Sequence, residues 1–252
     1  MRMVSYNILD GGEGRADPLA EIIISRRPDV VALVEADNPA VVDRIAARLE
    51  MNAVTGAGKR HSVALLCRGM ILESINHAPL MTDMSGCFLE GLVRVGGSEW
   101  RCGVVHLHPR AGEADERQRE KEIAGILEIT RLHRGARRPH FLMGDFNANS
   151  PVQKIDPERC KPATRKSWEE NGGAIPRRAV QMLLDAGYVD TMAAVQGAAA
   201  GEMYSFTTQF PGQRLDYIFS FAVAVQQLKA AWVEDDRLAR YASDHYPVGV
   251  EL

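Results

Sequence analysis

The sequence is short of aromatic residues, short of cysteine and without a dominant charge. Aromatics are 6% of its 252 residues, and the formal net charge is −3. A protein that coats nucleic acid through general electrostatics needs a basic excess, so that class is disfavoured, although a local basic patch is still allowed. With few aromatics and no long basic stripe, duplex DNA gains no special support as a partner. The four cysteines (Cys67, Cys87, Cys102, Cys160) show no C-x-x-C spacing. That argues for buried free thiols over a zinc site or a disulfide framework. No apolar run is long enough to cross a bilayer, and Met1 leads almost directly into Met3-Val4-Ser5-Tyr6 without a basic-then-apolar leader. The expectation is a cytoplasmic protein with no membrane insertion. Internal repeats and linkers are missing too, so residues 1–252 read as a single domain, expected to be a monomer.

What is present is enough apolar residue, 46%, for a sizeable core. Residues 2–9 read as a strand. A helix opens at Asp17-Pro18, with Asp17 as its cap. Residues 29–34 are a continuous apolar strand, and a second helix follows, capped by Asp37 or Asn38. Runs at 62–67, 70–76, 87–95 and 101–107 are β-like, with Gly96-Gly97 as a hairpin signal. A helical pattern covers 113–133, a strand 139–143, a helix 179–186, and strands 215–220, 223–233 and 246–252. Residues 152–176 are polar, show no period and read as a long loop. This order predicts an α/β fold with much antiparallel pairing: two sheets packed face to face, with helices outside.

The chemistry gathers around Phe141-Leu142-Met143-Gly144-Asp145-Phe146-Asn147. A buried strand there delivers Asp145 and Asn147, which in extended chain point to one side; an Asx-rich turn is the plainer interpretation. Other polar residues also end or interrupt apolar strands: Asn7, Glu35, His106, Asp216, Asp244 and His245. Such residues are rarely buried without partners. Converging at one end of a sandwich, these carboxylates and amides need a cation. Oxygen ligands without thiolate favour Mg²⁺, Mn²⁺ or Ca²⁺. The histidines add acid–base capacity near neutral pH. A hard metal beside a base and neutral donors suits hydrolysis of a phosphate ester.

These residues resemble the endonuclease/exonuclease/phosphatase superfamily of metal-dependent phosphoesterases. The matching motifs are Ser-Tyr-Asn7, Leu-Val-Glu35, Val-His106-Leu, Gly-Asp145-Phe-Asn147, Arg214-Leu-Asp216-Tyr-Ile-Phe and Ser243-Asp244-His245-Tyr-Pro-Val. They run in the family's order from residue 5 to 248. The resemblance implies a four-layered, DNase I-like α/β sandwich of two mixed sheets flanked by helices. It also implies roles. Glu35 would be the principal ligand of a Mg²⁺ (or Mn²⁺) ion, with Asn7 and Asp244 close by. Asp145 would orient or deprotonate the attacking water, and Asn147 would hold a phosphate oxygen. His245, oriented by Asp216, would contact the scissile phosphate. His106 would contact the phosphate or assist the leaving oxygen. Two positions depart from the pattern: Val34 replaces a glutamine before Glu35, and Val104-Val105 replaces Asn-Thr before His106.

The expected activity is therefore a divalent-metal-dependent phosphoesterase. A catalytically silent binding module that keeps the fold is the alternative from another class. Among enzymes, nuclease and lipid or small-molecule phosphatase both stay open, with nucleic acid a possible substrate. His108 could face the site, bond to the loop or lie on the surface. The cations Arg159, Lys161, Arg165, Lys166, Arg177 and Arg178 read mostly as a solvated face; the sharper expectation is that this segment leans over the site and grips a phosphorylated substrate through Arg or Lys, with Arg165 and Lys166 the pair to replace.

Overall fold

The computed structural model describes all residues of the chain, 1–252. Its elements are, in order, β1 (Arg2–Asn7), α1 (Ala16–Ser25), β2 (Val30–Val34), α2 (Pro39–Leu49), β3 (Asn52–Ala57), β4 (Ser62–Cys67), β5 (Met70–Asn76), β6 (Cys87–Val95), β7 (Ser98–His106), α3 (Glu113–Ile129), α4 (Arg131–Gly135), β8 (His140–Asp145), α5 (Pro162–Glu170), α6 (Arg178–Asp185), β9 (Val189–Asp190), α7 (Thr191–Gln196), β10 (Asp216–Phe221), β11 (Ala230–Val233), α8 (Ala239–Ala242) and β12 (Val248–Glu251). They form two six-stranded mixed sheets, in the orders β11-β12-β1-β2-β4-β3 and β5-β6-β7-β8-β10-β9. Helices cover the outer faces, which makes the four-layered DNase I-like α/β sandwich.

The apolar runs are continuous because the central strands are buried on both faces. Along β2, Val30, Ala32 and Val34 belong to the core shared with the other sheet. Val31 and Leu33 face the other way, among Leu19, Ile23, Val42 and Ile45 of α1 and α2. Burying each such large side chain contributes roughly 1.5–3 kcal/mol. The same alternation aims the polar residues. Met3 of β1 lies in the inter-sheet core, so Asn7, four residues on, points between the sheets as well. No helix is long and apolar enough to cross a membrane, and all four cysteines are buried and free.

Several boundaries differ from the sequence expectation. Helix α1 begins at Ala16, with Arg15 as its N-cap and no side-chain cap bond, so Asp17 lies inside its first turn. Helix α2 is capped by Asn38, whose side chain accepts from the Ala40 N–H, with Pro39 inside the start. Strand β3 has little buried surface and carried no sequence signal. Residues 152–176 are not a featureless loop: Pro162 opens α5. The expected strand at 223–233 shortens to β11, after a 3-10 turn at Val225–Gln227.

Candidate active site

Register places the polar residues at one end of the sandwich. In one sheet, β7 and β8 run parallel with His106 opposite Asp145, and β10 pairs antiparallel with Asp216 opposite Asp145. His106, Asp145 and Asp216 therefore form a row across neighbouring strands. Gly144 makes this row possible. Its φ is 144°, and a Cβ there would lie 1.9 Å from the Val105 carbonyl oxygen. In the other sheet, β1 and β2 run parallel with Asn7 opposite Val34, so Glu35 follows immediately at the same end.

The two halves meet at Asp145. Asn7 Nδ2 donates to Glu35 Oε1 at 3.0 Å and to Asp145 Oδ2 at 3.1 Å. His245 Nε2 stands 3.7 Å and His106 Nε2 3.9 Å from the same Asp145 oxygen. His245 Nδ1 bonds Asp216 Oδ2 at 2.8 Å, and Ser205 Oγ donates to that oxygen at 2.6 Å. The Ser243 hydroxyl donates to the Asn7 carbonyl at 2.7 Å, tying the last motif to the first. Glu35, His106, Asp145, Asn147, Asp244 and His245 line one cavity of about 530 Å³. Asn7 and Asp216 sit directly behind them. The structure thus brings every one of the expected site residues together.

Two local expectations change. Asp145 and Asn147 do not share an extended strand. The strand ends at Asp145, and Asn147 has a φ of 48°. Its N–H donates to Asp145 Oδ1 at 2.9 Å, and its Nδ2 donates to the Leu107 carbonyl at 3.0 Å. The Asx turn is what holds the site, and Nδ2 keeps a second hydrogen for a ligand. His108 is committed elsewhere, to Ser85 Oγ and Asp115 Oδ1, both at 3.0 Å.

Burial and charge divide the labour among these groups. Burial raises the Asp145 carboxyl to about 7, against the opposing pull of His245. For His245, burial works against the charged ring, but Asp216 and Asp145 outweigh it and push the pKa up to about 10. Burial holds His106 down at about 4, despite Glu35. Near neutral pH, then, one imidazole is cationic and the other neutral. Burial also works against Glu35, yet the Asp10 N–H and Asn7 amide hold its carboxyl below the usual range. Burial raises Asp244. No lysine or arginine pairs with Glu35, Asp145 or Asp244; Asp145 has only the two histidines beside it. Asp216 Oδ1 is buried without a partner. Carboxylates without a cationic partner fit a divalent cation, which Glu35, Asn7 and Asp244 could hold.

The rim sorts the basic residues that the sequence left undivided. Helix α5 lies over the cleft, anchored by Thr164 Oγ1 to Gln213 at 3.1 Å and by Asn171 Nδ2 to the Ala111 carbonyl at 3.0 Å. Arg165 and Lys166 pair with Glu158 and Glu170 and do not line the cavity. Lys161 and Arg110 do line it. Lys161 Nζ sits 4.3 Å from the Phe206 ring centroid, and that ring packs 4.5 Å from His245. Phe206 carried no recognised signal, although it directly follows Ser205, the residue that fixes Asp216.

A family model described as the Endonuclease/Exonuclease/phosphatase family matches residues 4–245. No curated protein sequence matches significantly. Among solved structures, the 3′ phosphatase NExo from Neisseria, bound to a product DNA hairpin, is similar at TM-score 0.76 and 22% identity, covering 100% of this chain and 99% of that one. An AP endonuclease from Archaeoglobus fulgidus is similar at TM-score 0.72 and 16% identity, covering 99% and 98%. TDP2 from D. rerio, complexed with single-strand DNA product, is similar at TM-score 0.68 and 20% identity, covering 99% and 97%. At these identities the likeness establishes the fold.

Proposed function

The chain belongs to the endonuclease/exonuclease/phosphatase family, and on that premise we propose that it is a Mg²⁺- or Mn²⁺-dependent hydrolase of a terminal phosphate ester, most naturally at a nucleic-acid end. The observation that carries this reading is the convergence on Asp145 Oδ2 of Asn7, His106 and His245, residues from three motifs far apart in the sequence. A carboxyl raised to about 7 is suited to take a proton from water near neutral pH. His245, kept cationic by Asp216 and steered by Ser205, donates from Nε2 to a phosphoryl oxygen. Asn147 Nδ2 has a free hydrogen for another such oxygen. Neutral His106 sits where it can attend the leaving oxygen. The divalent ion, held by Glu35 with Asn7 and Asp244 near it, would supply charge neutralisation on the phosphoryl group.

The size of the cleft supports a chain end or a small ester. About 530 Å³ falls in the range of roughly 300–1,000 Å³ usual for small-ligand sites. The DNA named with the similar NExo and TDP2 structures supports the nucleic-acid version. The test is a panel of 3′-phosphorylated DNA, abasic duplex DNA, single-stranded RNA, sphingomyelin and inositol phosphates, with Mg²⁺, with Mn²⁺ and with EDTA. Asp145→Asn and His245→Ala should stay folded and lose hydrolysis of whichever substrate is cleaved. Full activity of either variant, or activity undiminished by EDTA, would refute the mechanism.

A further inference from the structure

A nitrogen ligand stands next to Glu35 with its geometry already set. The antiparallel pairing of β2 with β4 puts Val34 opposite Val63. It continues past the strand ends, where the Ala36 N–H donates to the Ser62 carbonyl at 2.8 Å. This draws His61 alongside Glu35. On the other side, the turn after β1 folds back so that the Asp10 N–H donates to Glu35 Oε2 at 2.8 Å. Ligand atoms of Asp10, Glu35 and His61 then all lie within 4.8 Å of one another.

The imidazole is oriented from behind. His61 Nδ1 bonds Asp37 Oδ2 at 2.7 Å, and the other oxygen of Asp37 accepts the Ser62 N–H at 2.6 Å. Asp37 therefore occupies Nδ1 and leaves Nε2 as the free nitrogen. A carboxylate behind a histidine in this way fixes the tautomer and the ring plane of metal-bound imidazoles. Asp10 and Glu35 have no lysine or arginine ion-pair partner, and His61 is the third side chain of the group. Beside the cluster, His106 is 6% exposed, its ring centroid is 5.6 Å from that of His61, and its buried Nδ1 has no partner.

We propose that His61 and Asp10 ligate the divalent ion together with Glu35, and that the imidazole tilts the site from Mg²⁺ towards Mn²⁺ and later first-row ions. Imidazole favours those ions, whereas Mg²⁺ keeps to oxygen in strict octahedral geometry. The inference rests on the metal-dependent reading above and adds a ligand to it. Asp37 is a positioning residue, acting through His61.

The experiment uses metal-stripped full-length protein and Mn²⁺ or Mg²⁺ alone as the probe. Mn²⁺ binding is counted by electron paramagnetic resonance, and directly coordinated nitrogen is read by pulsed measurement of ¹⁴N coupling. The wild type should bind Mn²⁺ with ¹⁴N coupling and prefer it to Mg²⁺. His61→Gln should lose the coupling and weaken Mn²⁺ at least about tenfold, and Asp37→Asn should weaken it by about 10- to 100-fold, the range for such supporting partners. Mg²⁺ affinity should move less in both. Both side chains are partly exposed, and unchanged melting of the metal-free variants separates ligand loss from misfolding. Coupling that is absent in the wild type, or that survives in His61→Gln, overturns the inference while leaving the function intact if Glu35→Gln abolishes Mn²⁺ binding. A wild type that binds no divalent ion overturns both.

Discussion

Asn7 and Asp145 touch across the two sheets. The Asn7 amide on β1 reaches Asp145 Oδ2 on β8 at 3.1 Å, with both residues buried. This contact joins the metal side of the cleft to the base side. Asn7→Ala removes a donor that opposes the rise of the Asp145 pKa. The acid limb of the pH–rate profile should therefore move to higher pH, and kcat/KM at pH 7 should fall by roughly 100-fold, the scale of a lost electrostatic donor. An unmoved acid limb in this variant would show that Asp145 is not the base.

The charge on His245 makes stability fall at alkaline pH. Its pKa is near 10 in the folded chain, against 6.5 as the ordinary value. The folded state holds this proton more tightly than the unfolded state does. Its stabilising contribution is full below about 6.5 and is lost as pH climbs to about 10. Metal-stripped protein should lose melting temperature across that window, and Asp216→Asn should flatten the loss. Equal slopes for wild type and variant would remove Asp216 as the cause.

Lys161 and Arg110 line the cleft and have no carboxylate partner, whereas Arg165 and Lys166 are paired outside it. Lys161→Ala and Arg110→Ala should each raise KM for a phosphorylated substrate about tenfold, consistent with about 1.4 kcal/mol of charge-assisted contact. The double replacement of Arg165 and Lys166 should leave KM where it was. Steady-state kinetics on the substrate found by the panel decides between the two pairs.

Arg119 is 1% exposed and pairs with fully buried Glu116 at 2.8 Å. It also donates to the carbonyls of His108 and Arg110, while Glu116 Oε1 accepts the Ala179 N–H at the start of α6. Arg119→Met strands a buried carboxylate and frees the turn that carries Arg110. It should cost about 3–5 kcal/mol in urea unfolding. A loss under about 1 kcal/mol would mean that Glu116 takes up a proton or finds water.

The motif-bearing strands were legible because β1, β2, β7, β8 and β10 are buried on both faces, so any polar residue in them stands out against an apolar run. Asn7, Glu35, His106, Asp145 and Asp216 were found that way. The family resemblance then supplied roles that periodicity could not. Helix α5 was hidden because it buries only Thr164 and so shows no apolar stripe. With the helix unseen, the cation facing the cleft could not be told from its neighbours, so Lys161 stood undistinguished among the cations of 152–176. His61 and Asp10 were illegible for another reason. His61 is placed by strand pairing past the ends of β2 and β4, and Asp10 by the turn after β1 folding back on Glu35; no local pattern records either.

The first and last strands are partners. Arg2 to Ser5 of β1 lie opposite Glu251 to Val248 of β12, so a central strand of one sheet pairs with a segment far from it in the sequence. Closing contacts across nearly the whole sequence is slow, because the loop entropy comes due before the pairing is gained. The sheet that delivers Asn7 and Glu35 therefore closes only when β12 docks beside β1, and the same docking brings in His245 just ahead of β12.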